Sequence, residues 1–215
     1  MKIFKINILV IVVLGFLAVS CSEERPIESD ITFYPTFELA GGPYVLVEKG
    51  TSYEDVVTAM EGDTEIEVVT TGSVDTNVEG LYVLNYSATN SDGFDGTALR
   101  YVIVTDQIEN VRNNDLSGKY EPGNDNDGTQ TITKIADGFY NCPDVFPSNG
   151  ISAIFGQVND SVLVIPVQPS PYGDVSADKY NDPDAGGLII DDVTIGWDLR
   201  VAGYPIFDGI ELTKQ

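Results

Sequence analysis

The 215-residue chain carries a formal charge of −23 at pH 7 and contains no histidine. A field this negative repels nucleic acid phosphates and anionic lipid surfaces. Without histidine, the chain lacks Ser-His-Asp and Cys-His catalytic triads and the common zinc sites. A hydrophobic content of 42% is ordinary for a folded protein, so we expect an acidic surface on a globular body that does not bind nucleic acid.

The first twenty residues have the three parts of a signal peptide. Lys2 and Lys5 precede an apolar run at 8–17, and small residues follow directly before Cys21. The apolar run is about half of the ~20 residues that a transmembrane helix needs. Small residues that end in a cysteine resemble the lipobox of bacterial lipoproteins. This resemblance implies that residues 1–20 are removed and that Cys21 bears the lipid.

Residues 21–30 are short, charged and proline-containing, which is typical of a tether. Glu23 and Glu24 resemble the surface-export signal of Bacteroidetes-type lipoproteins. That resemblance implies a lipid anchor in the outer membrane and a position facing the cell exterior, and a plain spacer is the alternative. Removal of the signal peptide leaves nine basic and 34 acidic residues, a formal charge of −25.

Residues 31–106 are predicted to form an all-β domain. Apolar residues recur at every second position in short runs that Gly, Asn and Asp clusters separate. About ten residues separate successive runs, which fits a small two-sheet sandwich. The predicted strands are 44–48, 66–71, 81–89 and 98–105.

Several phrases of this domain are similar to bacterial Ig-like repeats of surface proteins. They are Tyr53-Glu54-Asp55, Val57-Thr58-Ala59, Gly72-Ser73-Val74-Asp75-Thr76, the run from Gly80 to Asn90, and Asp92-Gly93. The resemblance implies an Ig-like β-sandwich that acts as a spacer or adhesive module. Fold alone does not assign a function to it.

A polar stretch at 107–114 is predicted to be a linker, and a second β pattern occupies 115–215. Turns at 136–138 and 159–160 are predicted to join neighbouring strands. We expect an antiparallel sandwich or flattened barrel of seven or eight strands. The predicted strands are 129–135, 139–142, 151–158, 162–167, 188–190, 193–201 and 209–213.

The phrases at 116–120 and 135–140 resemble C-terminal domains of lipoproteins encoded beside glycan-uptake systems in gut Bacteroidetes. The resemblance implies a role near carbohydrate capture without naming a sugar. Lipidation of Cys21 would leave Cys142 as a single thiol. We interpret Cys142 as a buried or semi-buried small hydrophobe, because no histidine is present to activate a nucleophile.

No enzyme motif stands out, so we expect a protein that is not an enzyme. Paired carboxylates can hydrolyse glycosides, but 34 acidic residues supply such pairs by chance. Asp125 and Asp127 concentrate oxygen ligands in an Asn/Asp/Gly loop. An ordinary turn is the favoured interpretation, and a calcium site is the alternative. No other cofactor is expected.

The segment 168–187 is predicted to be a long loop. Loops of this length are usually binding loops or disordered, and both interpretations stay open. Tyrosine rings set among carboxylates suit a sugar-binding surface. The candidate ligand residues in this segment are Tyr172, Tyr180, Asp174, Asp178 and Asp182.

Trp197, the single tryptophan, shares one face of its predicted strand with Ile195, Leu199 and Val201. We favour a core position and keep a stacking platform for a ligand as the alternative.

Two hypotheses follow for function. The first is a non-catalytic surface lipoprotein that binds or presents glycans beside an outer-membrane uptake system. The second is a structural or adhesive lipoprotein whose partner is another surface protein. An exposed row of aromatic residues would favour the first, and a flat apolar patch would favour the second. We expect a monomer or a component of an uptake complex that contacts the membrane through its lipid anchor only.

Overall fold

Two β structures follow one another in the computed structural model, which describes residues 31–123 and 128–215. The predicted signal peptide, the tether and Cys21 lie outside these residues. Seven strands build the first structure. They are β1 (Thr36–Leu39), β2 (Tyr44–Glu48), β3 (Val57–Glu61), β4 (Thr64–Ile66), β5 (Val69–Thr71), β6 (Gly80–Thr89) and β7 (Asp95–Thr105).

These strands form a two-sheet sandwich with orders β1-β3-β4 and β2-β7-β6-β5. The sandwich confirms the predicted fold. Strand β2 pairs with β7 in parallel, and the other pairs are antiparallel. The prediction of one strand at 66–71 is wrong, because the chain leaves one sheet after β4 and enters the other at β5. Strands β1 and β3 were not predicted.

Strand β6 has buried side chains on both faces of its sheet. Leu84 and Tyr86 are buried between the two sheets, as the alternation predicted. On the opposite face Asn85 is exposed, yet Leu81 is buried and Val83 is half-buried. The start of β6 is therefore covered on both sides.

A buried arginine joins the two sheets of the sandwich. Arg100 is 1% exposed and forms an ion pair with Asp55. Its other guanidinium nitrogens donate to the carbonyl oxygens of Gly42 (3.1 Å) and Ala40 (2.7 Å). The Tyr86 hydroxyl also donates to Asp55, at 2.7 Å. A buried charge needs such full pairing, so this network fixes the sheets in one arrangement.

The predicted linker at 107–114 contains a short helix, α1 (Ile108–Asn113). The helix is about one turn and a half long and buries one apolar side chain, Val111. A single apolar residue cannot produce a helical period in the sequence, so the helix was not predicted. Gln107 accepts a hydrogen bond from the backbone N–H of Asp160 at 2.9 Å. The segment is thus docked on the second β structure.

Nine strands of the described residues build the second structure, where seven or eight were predicted. They are β8 (Gly118–Pro122), β9 (Gln130–Ala136), β10 (Phe139–Cys142), β11 (Ala153–Gln157), β12 (Val162–Ser170), β13 (Gly173–Ala177), β14 (Gly186–Ile189), β15 (Thr194–Val201) and β16 (Phe207–Lys214).

These nine strands form one antiparallel sheet that closes into a barrel. Eight of them follow the order β11-β10-β9-β8-β16-β15-β13-β12, and β12 pairs back with β11. Strand β14 pairs with β12 and β15. The two predicted turns are confirmed: Gly138 takes a φ of 76° between β9 and β10, and 159–160 joins β11 to β12.

One apolar cluster belongs to both structures. Leu81, Tyr101 and Ile103 of the sandwich share it with Phe139 and Val164 of the barrel. The backbones approach so closely that a Cβ on Gly156 of β11 would lie 2.6 Å from the Leu81 side chain. Separate folding of 31–106 and 115–215 stays a prediction, and either piece alone would expose its side of this cluster.

We expect Phe139→Ala to lower the free energy of unfolding by about 3 to 5 kcal/mol, since Phe139 is fully buried in the shared cluster. Phe94 of the sandwich is 46% exposed, and Phe94→Ala is the matched control with an expected loss below about 1 kcal/mol. Urea denaturation of both variants gives the two values. Equal losses would show that the shared cluster contributes no more than a surface contact.

Candidate functional site

The predicted long loop at 168–187 is wrong. Strands β12 and β13 form a hairpin in which Ser170 pairs with Gly173, so only Pro171 and Tyr172 make the turn. Strand β14 begins at Gly186, which leaves a loop of eight residues at 178–185. The predicted strand at 162–167 stopped short of the end of β12, because Pro169 argued against a strand there and proline is rare within sheets.

An aromatic cleft lies at one end of the barrel. It is a cavity of about 330 Å³ lined mainly by Phe146, Tyr172, Tyr204 and Phe207. The rings of Phe146 and Phe207 are 4.5 Å apart, and those of Tyr204 and Phe207 are 6.4 Å apart. Tyr172 and Tyr204 are 47% and 52% exposed. Sequence reasoning found Tyr172 and missed the other three.

Two tight turns hold the exposed tyrosines. The N–H of Tyr172 donates to the Ser170 hydroxyl, which itself donates to the carbonyl oxygen of Gly173. In the turn after β15, the N–H of Tyr204 donates to the Val201 carbonyl at 3.0 Å. Gly203 takes a φ of 84° there, a conformation that favours glycine. Both tyrosines therefore project from fixed backbone.

A β-bulge brings Phe207 into the cleft. Ile210 pairs with Trp197 and Phe207 pairs with Leu199, so one residue of β15 faces the two residues 208 and 209. Gly209 takes a φ of 68°. In a regular strand, residues 207 and 210 would point to opposite faces. Both pack against the barrel core instead.

Asp144 fixes the loop that carries Phe146. Its carboxylate accepts hydrogen bonds from the backbone N–H groups of Phe146 (3.1 Å), Gly150 (3.0 Å) and Ile151 (3.1 Å). The carbonyl oxygen of Val145 in the same loop accepts a hydrogen bond from the indole N–H of Trp197 in the barrel core. The loop is thus tied at several points.

Tyr180, the other predicted tyrosine, lies in a different cavity of about 500 Å³, beside Gly80 and Tyr82 of the sandwich. Burial, with a smaller effect of the Glu79 and Asp178 carboxylates, raises the pKa of Tyr180 to about 12. The structure does not bring Tyr172 and Tyr180 together. The two tyrosines line separate cavities.

Two of the three predicted aspartates have local partners. Asp178 is buried and accepts hydrogen bonds from the backbone N–H of Tyr180 and the side-chain amide of Asn181. Asp182 pairs with Arg200, whose hydrogen bond lowers the pKa of the Asp182 carboxyl. Asp174 is exposed on β13 and does not line the cleft. None of the three lines the cleft with Tyr172.

Trp197 and Cys142 are core residues. Trp197 is 3% exposed, and its indole N–H donates to the Val145 carbonyl at 2.6 Å, so the alternative of a stacking platform is wrong. Cys142 is fully buried, as predicted, and burial raises the pKa of its thiol to about 12. Such a thiol is a poor nucleophile.

Asp125 and Asp127, the calcium candidates, lie outside the described residues. Within 31–123 and 128–215, no group of three or more Asp, Glu or Cys side chains is placed to hold a metal ion. The same residues contain no helix that is long and apolar enough to cross a bilayer.

Comparison with known families finds a match, which lies in the sandwich. Residues 37–104 match the model of the bacterial surface protein Ig-like domain. The N-terminal sandwich is thus similar to this Ig-like domain. This match, over about a third of the chain, supports a bacterial surface protein. The chain matches no curated protein.

Two solved structures are similar to the chain at low identity. One is the lipoprotein BT2262 from Bacteroides thetaiotaomicron, with 22% identity, coverage of 84% of this chain and 100% of that one, and a TM-score of 0.35. The other contains CBM51-2 in complex with GlcNAc and the INT domains of ZmpB from Clostridium perfringens. It shows 15% identity, coverage of 83% and 42%, and a TM-score of 0.31. At these TM-scores neither likeness carries an argument about the site.

We expect Asp144→Ala to lower the free energy of unfolding by about 2 kcal/mol, because three backbone N–H groups lose a charged acceptor. Asp92→Ala, at an exposed turn of the sandwich, is the control and should change it by less than about 0.5 kcal/mol. Urea denaturation measures both. A loss at Asp144 no larger than at Asp92 would mean that the carboxylate does not hold the loop.

Proposed function

We propose that this chain is a non-catalytic surface lipoprotein that binds neutral glycans in the aromatic cleft. The observation that carries the proposal is the group of four aromatic side chains at one end of the barrel, two of them about half exposed. An exposed aromatic cluster is the feature that favours glycan binding over a purely structural role.

The chemistry of the cleft suits a sugar ring. Tyrosine presents a flat apolar face together with a polar hydroxyl, and its two side-chain torsions cost little entropy when they are fixed. The Phe146 and Phe207 pair in the cleft is half-buried and already packed. A formal charge of −25 on the mature chain disfavours anionic polymers.

A catalytic role is disfavoured by the residue types available. The full chain has no histidine to act as a general base or to activate a nucleophile. The Cys142 thiol is buried in the barrel core. Binding without turnover is the simplest activity for these side chains.

The proposed location is the outer face of the outer membrane. The match to the bacterial surface protein Ig-like domain supports the cell surface. The lipobox-like sequence before Cys21 and the acidic residues after it support a lipid anchor there. At that position the cleft would meet glycans outside the cell, beside a glycan-uptake system.

A protein partner is the second candidate function. Leu188, Ile190 and Val193 are each close to half exposed along β14 and the turn that follows it. Leu188 and Ile190 line a shallow cavity of about 200 Å³ beside Gly196. Adjacent exposed aliphatic side chains are typical of a protein contact.

We expect the mature protein to begin at Cys21 and to carry acyl chains. Each buried methylene contributes about 0.8 kcal/mol, so several chains anchor the protein firmly. Mass spectrometry of protein extracted from membranes measures the added mass. Cys21→Ser should release the protein into the medium or leave the signal peptide uncleaved. An unmodified mature form in the native host would contradict the anchor.

We expect Tyr172→Ala and Tyr204→Ala each to lower glycan affinity roughly threefold to tenfold, because each removes a stacking face. Tyr180→Ala is the matched control, since Tyr180 is also partly exposed and lies in a different cavity. A glycan array finds the ligand, and calorimetry compares the variants. Unchanged affinity in the Tyr172 and Tyr204 double variant would exclude the cleft as the site.

A further inference from the structure

A second cavity continues the aromatic cleft. Its volume is about 720 Å³, and it is lined by Phe146 and Phe207 together with Pro147, Asp208 and Glu211. The two cavities share the Phe146 and Phe207 rings, so this pair forms a ridge between them. A ligand that covers the ridge would enter both.

The side chains differ between the two sides of the ridge. Tyr172 and Tyr204 supply aromatic faces on the cleft side. On the far side, Asp208 and Glu211 are exposed carboxylates. The backbone beneath them is fixed, because the Glu211 carbonyl accepts the N–H of Gly123 at 3.1 Å. Carboxylates accept strong hydrogen bonds from hydroxyl groups.

We propose that the cleft and the second cavity form one groove that binds a neutral oligosaccharide across the Phe146 and Phe207 ridge. This inference rests on the proposed function and specifies its ligand. One sugar unit stacks between the tyrosines, and later units donate hydroxyl hydrogen bonds to Asp208 and Glu211.

The size of the groove favours a ligand longer than a single sugar unit. Pockets for small molecules span about 300 to 1,000 Å³. The cleft alone, at about 330 Å³, is at the lower end of that range. The two cavities together reach its upper end, which corresponds to several linked sugar units.

The charge of the groove selects the class of sugar. Asp208 and Glu211 would face a uronic acid or a sulfate ester on the far side of the ridge, and like charges at close range are repelled. The cleft side offers rings and no basic side chain among its lining residues. Neutral hexose or pentose chains are not repelled by the carboxylates and need no basic partner in the cleft.

The test is calorimetric titration of the full mature protein with oligosaccharides of one to six units. The probes are β-1,4-gluco-, α-1,4-gluco-, β-1,4-manno- and β-1,4-xylo-oligosaccharides, with oligogalacturonates as the anionic set. We expect affinity for a neutral set to rise at least tenfold between two and five units, and the oligogalacturonates to bind more weakly.

Two variants separate the sides of the ridge. The double variant Asp208→Asn with Glu211→Gln should lose about tenfold in affinity for the pentasaccharide and leave disaccharide binding unchanged. Asp92→Asn with Glu65→Gln changes the charge equally on exposed positions of the sandwich and is the control, with no expected loss. Tyr172→Ala should weaken binding of both lengths.

The outcomes distinguish the inference from the function on which it rests. Disaccharide binding that Tyr172→Ala weakens, with no gain for longer chains, would overturn the groove and keep the cleft. Tighter binding of oligogalacturonates would overturn the neutral class. No binding of any probe would overturn both the groove and the proposed glycan function.

Discussion

The apolar contact between the Ig-like sheet and the barrel is the constraint on which the rest of the molecule depends. Strand β7 buries Val102 and Val104 toward the sandwich core and Tyr101 and Ile103 toward the barrel. A strand buried on both faces is unusual for a small antiparallel sandwich, where one face commonly meets water. The sandwich is therefore more than a spacer, because its outer face completes the packing of the barrel.

This contact also explains the helix between the two structures. Val111 of α1 is fully buried, and a Cβ on Gly138 of the first barrel hairpin would lie 2.7 Å from it. Asn114 donates to the side-chain oxygen of Gln157, which is buried in β11. A flexible linker would leave these polar groups unpaired. The docked helix satisfies them and limits movement of the Ig-like domain.

Local patterning was enough to predict most strands and two turns. Alternation at 44–48 and 139–142, and the glycine in the turn at 136–138, are signals contained within a few residues. The shared cluster was not predictable, since alternation cannot tell whether Leu81 meets water or another domain. The candidate cleft was even harder to predict from the sequence. Its four aromatic residues come from a loop, two turns and the first residue of β16, and only Tyr172 lay in a segment that composition had singled out.

Rigidity is what makes those turns suited to binding. Pro171 fixes one backbone torsion of the hairpin turn, and Gly203 and Gly209 hold conformations that other residues adopt at a cost. The N–H of Gly209 is held by the Asp198 carboxylate at 2.7 Å. A ligand that meets preformed backbone does not have to order it, so less of the contact energy is lost on binding. The glycine turns and the bulge thus shape the candidate cleft, and the bulge also lets Phe207 and Ile210 pack against the barrel core.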